Sequence, residues 1–184
     1  MHHIYTTPSF IVHSSPHGES GKFLLIFTRD FGMIGATAQG IRLDQSKLRY
    51  HIQDFDHADI SIVRGKEVWR LTGAHEIDHE KITKVHIQVL KLLKRLLQGE
   101  DKNEKLFEII DGLYKTKIEE SNFEFVESLT VLRILNSLGY VKENKMFTEI
   151  LSSHKITPEF IEYVQQHKSL IIKEINTALK ESHL

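Results

Sequence analysis

The sequence predicts an α+β protein, with a small five-stranded β-barrel over residues 1–77 and an all-helical region over 78–184. Two observations carry this. Before Ile77, short runs rich in β-branched and aromatic residues are broken by Gly and Pro; after it, apolar residues recur at helical spacing. A third bounds the class: 40% hydrophobic and 27% charged residues is a globular composition, and no apolar run approaches the roughly 20 residues of a membrane-spanning helix.

The first strand is Ser9-Phe10-Ile11-Val12-His13, followed by a turn-rich stretch from Ser14 to Gly21. The second is Lys22 to Arg29, closed by Asp30-Phe31-Gly32, and the third runs from Met33 to Gly40. A polar connection, Ile41 to Tyr50, leads to a fourth strand over His57–Val63. There Ala58, Ile60 and Ile62 alternate with Asp59 and Ser61, as in a half-buried strand. Arg64-Gly65-Lys66 turns the chain into a fifth, Glu67 to Thr72. Five short strands in some seventy residues suit a barrel closed on itself, because closure removes exposed strand edges. The OB-fold is the best-known five-stranded solution.

The second half predicts about five helices. His79–Gln98 places Ile82, Val85, Val89, Leu93 and Leu96 on one face, with Asp78 as N-cap and Gly99 as a stop. Lys105–Lys115 repeats the pattern. Phe123–Leu138 is apolar almost all round, which predicts a central buried helix, and Gly139 follows as a C-terminal cap. A short helix over Asn144–Leu151 comes next. The last starts at Thr157-Pro158, a capping residue and a Pro at the first helical position, and runs past Ile175.

The chain has no cysteine, which removes disulfides, thiolate catalysis and Cys-ligated zinc. Met1–Tyr5 lacks the long apolar core of an export signal, so a cytoplasmic protein without a membrane partner is expected. Neither half is basic: residues 1–78 carry 8 Lys/Arg against 9 Asp/Glu, and residues 79–184 carry 16 against 16. Any nucleic-acid site must therefore be local. Neither a G-x-S-x-G nor a G-x-x-x-x-G-K motif occurs, and no catalytic residue or cofactor is expected.

One enzyme motif does occur. His75-Glu76-Ile77-Asp78-His79 matches H-E-x-x-H, in which two His one helical turn apart hold zinc and the Glu serves as general base. The motif needs a helix that begins before the first His. Here a strand and Gly73-Ala74 precede it, and a cap at Asp78 divides it, so a polar strand-to-helix linker is the expected structure. A zinc hydrolase on His75, Glu76 and His79 stays open as an alternative.

OB barrels bind oligonucleotides on strands 2–3 and on the loops joining strands 1–2 and 4–5. Lys22 ends the first of these loops, Arg29 ends strand 2, and Arg64 and Lys66 lie in the second loop; the connection between strands 3 and 4 adds Arg42, Lys47 and Arg49. Phe31, Tyr50 and Trp69 supply rings for stacking under bases. A lone Lys or Arg on a strand is usually solvated surface, and Trp69 in a strand is more often core than platform. Only the 42–49 cluster rises above that background. A barrel of nearly neutral charge also leaves open an adaptor that binds protein alone.

The stretch Gly18-Glu19 … Leu24-Leu25-Ile26-Phe27-Thr28-Arg29-Asp30-Phe31-Gly32 … Ala38-Gln39-Gly40-Ile41-Arg42 resembles the opening of the RecO family of recombination mediators. Ser46-Lys47-Leu48-Arg49 is similar to that family's basic loop, and Gln53-Asp54-Phe55 to its following Gln-Pro-Phe; Leu132-Arg133-Ile134-Leu135-Asn136-Ser137-Leu138-Gly139-Tyr140 resembles the family's helix ending in Leu-Gly-Tyr in the helical half. The resemblance implies a non-enzymatic DNA repair and recombination protein acting after DNA damage. It implies binding to single- and double-stranded DNA, strand annealing, and partnership with RecR and the C-terminal tail of single-strand-binding protein in loading RecA. Arg29, Arg42, Lys47 and Arg49 match the family's DNA-contact positions, and Lys22 joins them from the barrel geometry. Many relatives carry a zinc-binding cysteine cluster in the helical half; this chain does not, so no metal is expected there.

Overall fold

The computed structural model describes residues 3–77, 79–142 and 144–182. The chain forms two compact units, one made of Met1–His79 with Leu97–Glu104, the other of Glu80–Leu96 with Lys105–Leu184.

The first unit is a closed barrel in the order β1-β2-β3-β5-β4, formed by β1 (Ile4–His17), β2 (Gly21–Thr28), β3 (Gly32–Ala38), β4 (His57–Arg64) and β5 (Trp69–Glu76). Neighbours are antiparallel except β3 and β5, whose parallel pairing at Ala36↔Trp69 and Thr37↔Arg70 closes the barrel. This is the expected OB architecture. Leu24 and Ile26 of β2, Ile34 and Ala36 of β3, and Ala58, Ile60 and Ile62 of β4 fill the interior at every second position.

Two strands exceed their expected bounds. β1 spans fourteen residues because it pairs with β4 over Ile4–Phe10 and with β2 over Ser9–His17, with a bulge between Ile11 and His13 that lets it serve both. Its polar half, Ser14 to His17, has the composition of a turn and is held in the strand by pairing with β2. The turn itself is at Gly18, whose φ of 62° is easy only for glycine. β5 lies further along the chain than Glu67–Thr72, since its register against β4 runs from Trp69↔Arg64 to Glu76↔Ala58. Thr72 to Glu76 carries no apolar alternation to betray this.

The β3–β4 connection is ordered from within. Ile41 and Ile52 are fully buried in the barrel core and Leu48 packs against it, so the polar stretch between them is pinned at both ends. Lys47–Tyr50 forms one turn of 3₁₀-helix. Arg42 donates its backbone N–H to Ser20 O (2.9 Å) and Phe55 donates to Ile11 O (2.7 Å), fastening the connection to β1 and the β1–β2 turn.

The second unit contains α1 (Lys84–Leu96), α2 (from Glu104, which belongs to the first unit, to Tyr114), α3 (Phe123–Ser137), α4 (Thr148–Ser152), α5 (Pro158–Gln166) and α6 (Lys168–Glu181). α3 is central, as its all-round apolarity predicts: Leu129, Leu132 and Leu135 share a core with Phe147, Ile150, Val164, Ile171 and Ala178. It ends at Gly139, φ 82°, where Gly139 N–H donates to Asn136 O and Tyr140 N–H to Leu135 O, the paired bonds of a Schellman cap. Arg133, 2% exposed, donates to the carbonyls of Ile150 and Lys155 (2.6 and 2.9 Å); desolvation lowers its pKa to about 10, leaving it charged at neutral pH.

Three helix boundaries differ from expectation. α1 begins at Lys84, not His79, because Thr83 is its cap: His86 Nδ1 accepts from the Thr83 N–H at 3.0 Å, as the third residue of a capping box does. The cap expected at Asp78 lies outside the described residues. The short helix begins as a 3₁₀ turn, Lys145–Phe147, capped by Asn144 accepting from the Met146 N–H. The last helix is two, broken at His167 (φ −109°, ψ 19°). Val164 and Ile171 lie two turns apart and both enter the core, so their spacing fits one helix as well as two.

Candidate nucleic-acid interface

At one end of β2, Lys22, Arg49, Tyr50, Ser14, Gln53 and Asp54 line an open cleft of ≈ 430 Å³. The fold explains how they meet. Lys22 begins β2 opposite Pro16 of β1, and the buried anchors Ile41 and Ile52 fold the β3–β4 connection so that its 3₁₀ turn presents Arg49 and Tyr50.

Tyr50 is 61% exposed. Arg49 lies over its ring, 4.9 Å from the centroid, and donates to its hydroxyl at 2.8 Å and to Asp44 at 2.9 Å. These two partners, Tyr50 foremost, hold the guanidinium above the ordinary arginine pKa, so it stays cationic at every physiological pH. Lys22 Nζ approaches Ser14 Oγ at 3.5 Å. An exposed ring flanked by an ammonium and a preorganised guanidinium suits a base with its phosphates. The Asp44 and Asp54 carboxylates offset part of that charge, which is the local form of the near-neutral balance of the whole chain.

Of the expected residues, Lys22 and Arg49 line this cleft. Arg42 and Lys47 are exposed on the same connection, to either side of Asp44. Arg29 is elsewhere, past the opposite end of β2, where it donates to Glu104 at 3.0 Å. That end carries its own basic and aromatic groups. Trp69 is 4% exposed, in contact with Phe31 (centroids 4.9 Å apart) and Tyr5 (5.7 Å), and Arg64 lies 4.7 Å above its ring. Trp69 Nε1–H donates to Glu100 at 3.1 Å, and Arg64 donates to the other oxygen of that carboxylate. Sequence reading had no means of finding these pairs: Arg29 and Glu104 stand 75 residues apart, Arg64 and Glu100 36.

The H-E-x-x-H motif does not fall on a helix. His75 is an exposed residue of β5 facing Asp59 of β4, and His79 lies outside any helix, so the two His do not share a helical face; the Glu76 side chain lies outside the described residues. Among the described residues no group of three His, Cys, Asp or Glu is placed to hold a metal ion. No helix there is long and apolar enough to cross a membrane.

Residues 1–79 match the family model described as recombination protein O N terminal. Curated relatives extend the likeness into the helical unit. DNA repair protein RecO of one strain of Dehalococcoides mccartyi is 24% identical over 148 residues, covering 77% of this chain and 58% of the relative. That of a second strain is 24% identical over 177 residues, covering 92% and 69%. RecO of Clostridium perfringens is 29% identical over 139 residues, covering 71% and 56%. The chain thus spans between about half and two thirds of the length of these relatives.

Proposed function

We propose, with residues 1–79 a member of the recombination protein O N-terminal family, that the chain is a DNA repair and recombination protein that binds single- and double-stranded DNA through its barrel. The observation that carries this is the cleft in which Lys22, Arg49 and the exposed ring of Tyr50 converge, with Arg42 and Lys47 on the same connection. Contacts to phosphate by charge and to bases by stacking tolerate any sequence, as strand annealing requires. The role is that of a non-enzymatic mediator, joined by RecR and by the tail of single-strand-binding protein in delivering RecA to covered DNA, in the cytoplasm and on the nucleoid. The strand position of His75 supports this reading over a zinc hydrolase.

Anisotropy titration of a labelled oligothymidylate at several salt concentrations tests it. Affinity should fall with salt, at a logarithmic slope of roughly 0.7 per phosphate contact. Alanine at Arg42, Lys47 and Arg49 together should flatten the slope by about 2. Absence of binding at low salt, with RecR and without, would leave the protein-only adaptor as the better reading.

A further inference from the structure

The segment Leu97–Glu104 is far from the barrel in sequence and belongs to it in space. It reads Leu-Gln-Gly-Glu-Asp-Lys-Asn-Glu, three carboxylates and one lysine. Two of those carboxylates sit on the two arginines at the Trp69 end: Glu100 takes Arg64 together with the Trp69 indole N–H, and Glu104 takes Arg29 through both Nε and Nη2. The segment's backbone is closely seated. A Cβ on Gly32 would run into the backbone carbonyl of Asp101, so only glycine admits it there. Lys102 adds a longer contact to Asp30, 3.8 Å.

We propose that this end of the barrel is a second contact surface for single-stranded DNA, held shut by Glu100 and Glu104, whose carboxylates occupy the positions that backbone phosphates take when the strand arrives. Three features argue for it. A carboxylate oxygen on a guanidinium stands where a phosphate oxygen would: Arg64 gives Glu100 one N–H, and Arg29 gives two N–H groups to one oxygen of Glu104. The groups beneath are those of single-strand sites: two arginines, one stacked on Trp69, with Phe31 and Tyr5 around it. And the covering pairs are half-exposed, with side-chain exposures of 41% and 50% for Glu100 and Glu104, so salt and competing anions weaken them. The strand is thereby admitted at the Lys22–Tyr50 cleft first and at the Trp69 end only when its phosphates outcompete the glutamates. This inference rests on the DNA-binding reading of the barrel.

Trp69 is the chain's single tryptophan, so its emission reports on Glu100 directly. Oligothymidylate is titrated into the wild-type chain and into Glu100→Gln/Glu104→Gln, reading anisotropy of the labelled strand and Trp69 emission. The double variant should bind about tenfold more tightly at low salt, with a salt slope steeper by about 1.4, the equivalent of two phosphate contacts. Its Trp69 emission should be quenched on binding, and adding Arg29→Ala and Arg64→Ala to it should remove the gain. Glu104→Gln alone, which leaves the indole bond intact, should give a smaller gain in the same direction and serves if the double variant does not fold. Wild-type affinity with unaltered emission in the variants overturns this inference and leaves the DNA-binding reading standing. Failure of every chain to bind overturns both. Equal displacement of the oligonucleotide by polyglutamate would make the surface a general polyanion site and overturn its assignment to DNA.

Discussion

The two ends of β2 carry the same chemistry in opposite states. At one, Arg49 lies over Tyr50, an exposed ring, and its carboxylate partner Asp44 is five residues away in the same loop. At the other, Arg64 lies over Trp69, a buried ring, and its partner Glu100 comes from a segment beyond α1. A cation over an aromatic ring therefore does not by itself distinguish a binding platform from a piece of core. What distinguishes them is whether distant chain covers the ring. Tyr50 is exposed and Trp69 is buried; under the proposed function the first is a binding platform as it stands, and under the further inference the second becomes one only by exchange.

The sharpest way to break this contrast is to truncate the two rings. Trp69→Ala should cost about 3–5 kcal/mol of stability in urea denaturation, since a large buried side chain leaves a cavity. Tyr50→Ala should stay within about 0.5 kcal/mol of wild type in stability. Its loss should fall on oligothymidylate binding instead, by about 1–3 kcal/mol for a stacked base. Equal stability losses at both positions would erase the distinction.

The turn glycines test the cover rather than the rings. Gly18 and Gly32 both have positive φ, 62° and 68°, at opposite ends of the barrel. An added Cβ meets nothing within 4 Å at Gly18 but the Asp101 backbone at Gly32. Gly18→Ala should cost only the left-handed strain, about 1–2 kcal/mol. Gly32→Ala should cost about 3 kcal/mol or more and speed hydrogen exchange across 97–104. Similar costs at the two sites would mean that this segment is not seated on the barrel.

The smallest effect concerns charge. Asp44 is fully exposed, so Asp44→Asn should change the melting temperature negligibly, as surface pairs contribute little. It releases Arg49 from a competing carboxylate and should raise oligothymidylate affinity about twofold at low salt, an advantage that screening removes at high salt. No gain would place Arg49 outside the interface.

Much of the molecule was legible in the residues themselves. The alternation of Ala58, Ile60 and Ile62 marked β4, the all-round apolarity of 123–138 marked the central helix, and Thr157-Pro158 and Gly139 marked a start and a stop; each signal is local and each reappears in the fold. The polar half of β1 and the tail of β5 were not legible, because their strand state comes from partners that only barrel closure supplies. The cap at Thr83 was missed because histidine, through His86, does there what Glu or Gln usually does.

For the candidate site, the sequence by itself determined the type of groups available: a basic loop over 42–49, a neighbouring ring at Tyr50, and a composition too nearly neutral for a broad phosphate-binding face. Tertiary structure decided which of them meet. Buried Ile41 and Ile52 swing Arg49 and Tyr50 beside Lys22, while Arg29 is carried to the far end of β2 and into the hold of Glu104. The reason is physical. Charge and ring are properties of a residue, but exposure and pairing are properties of whatever the rest of the chain places against it.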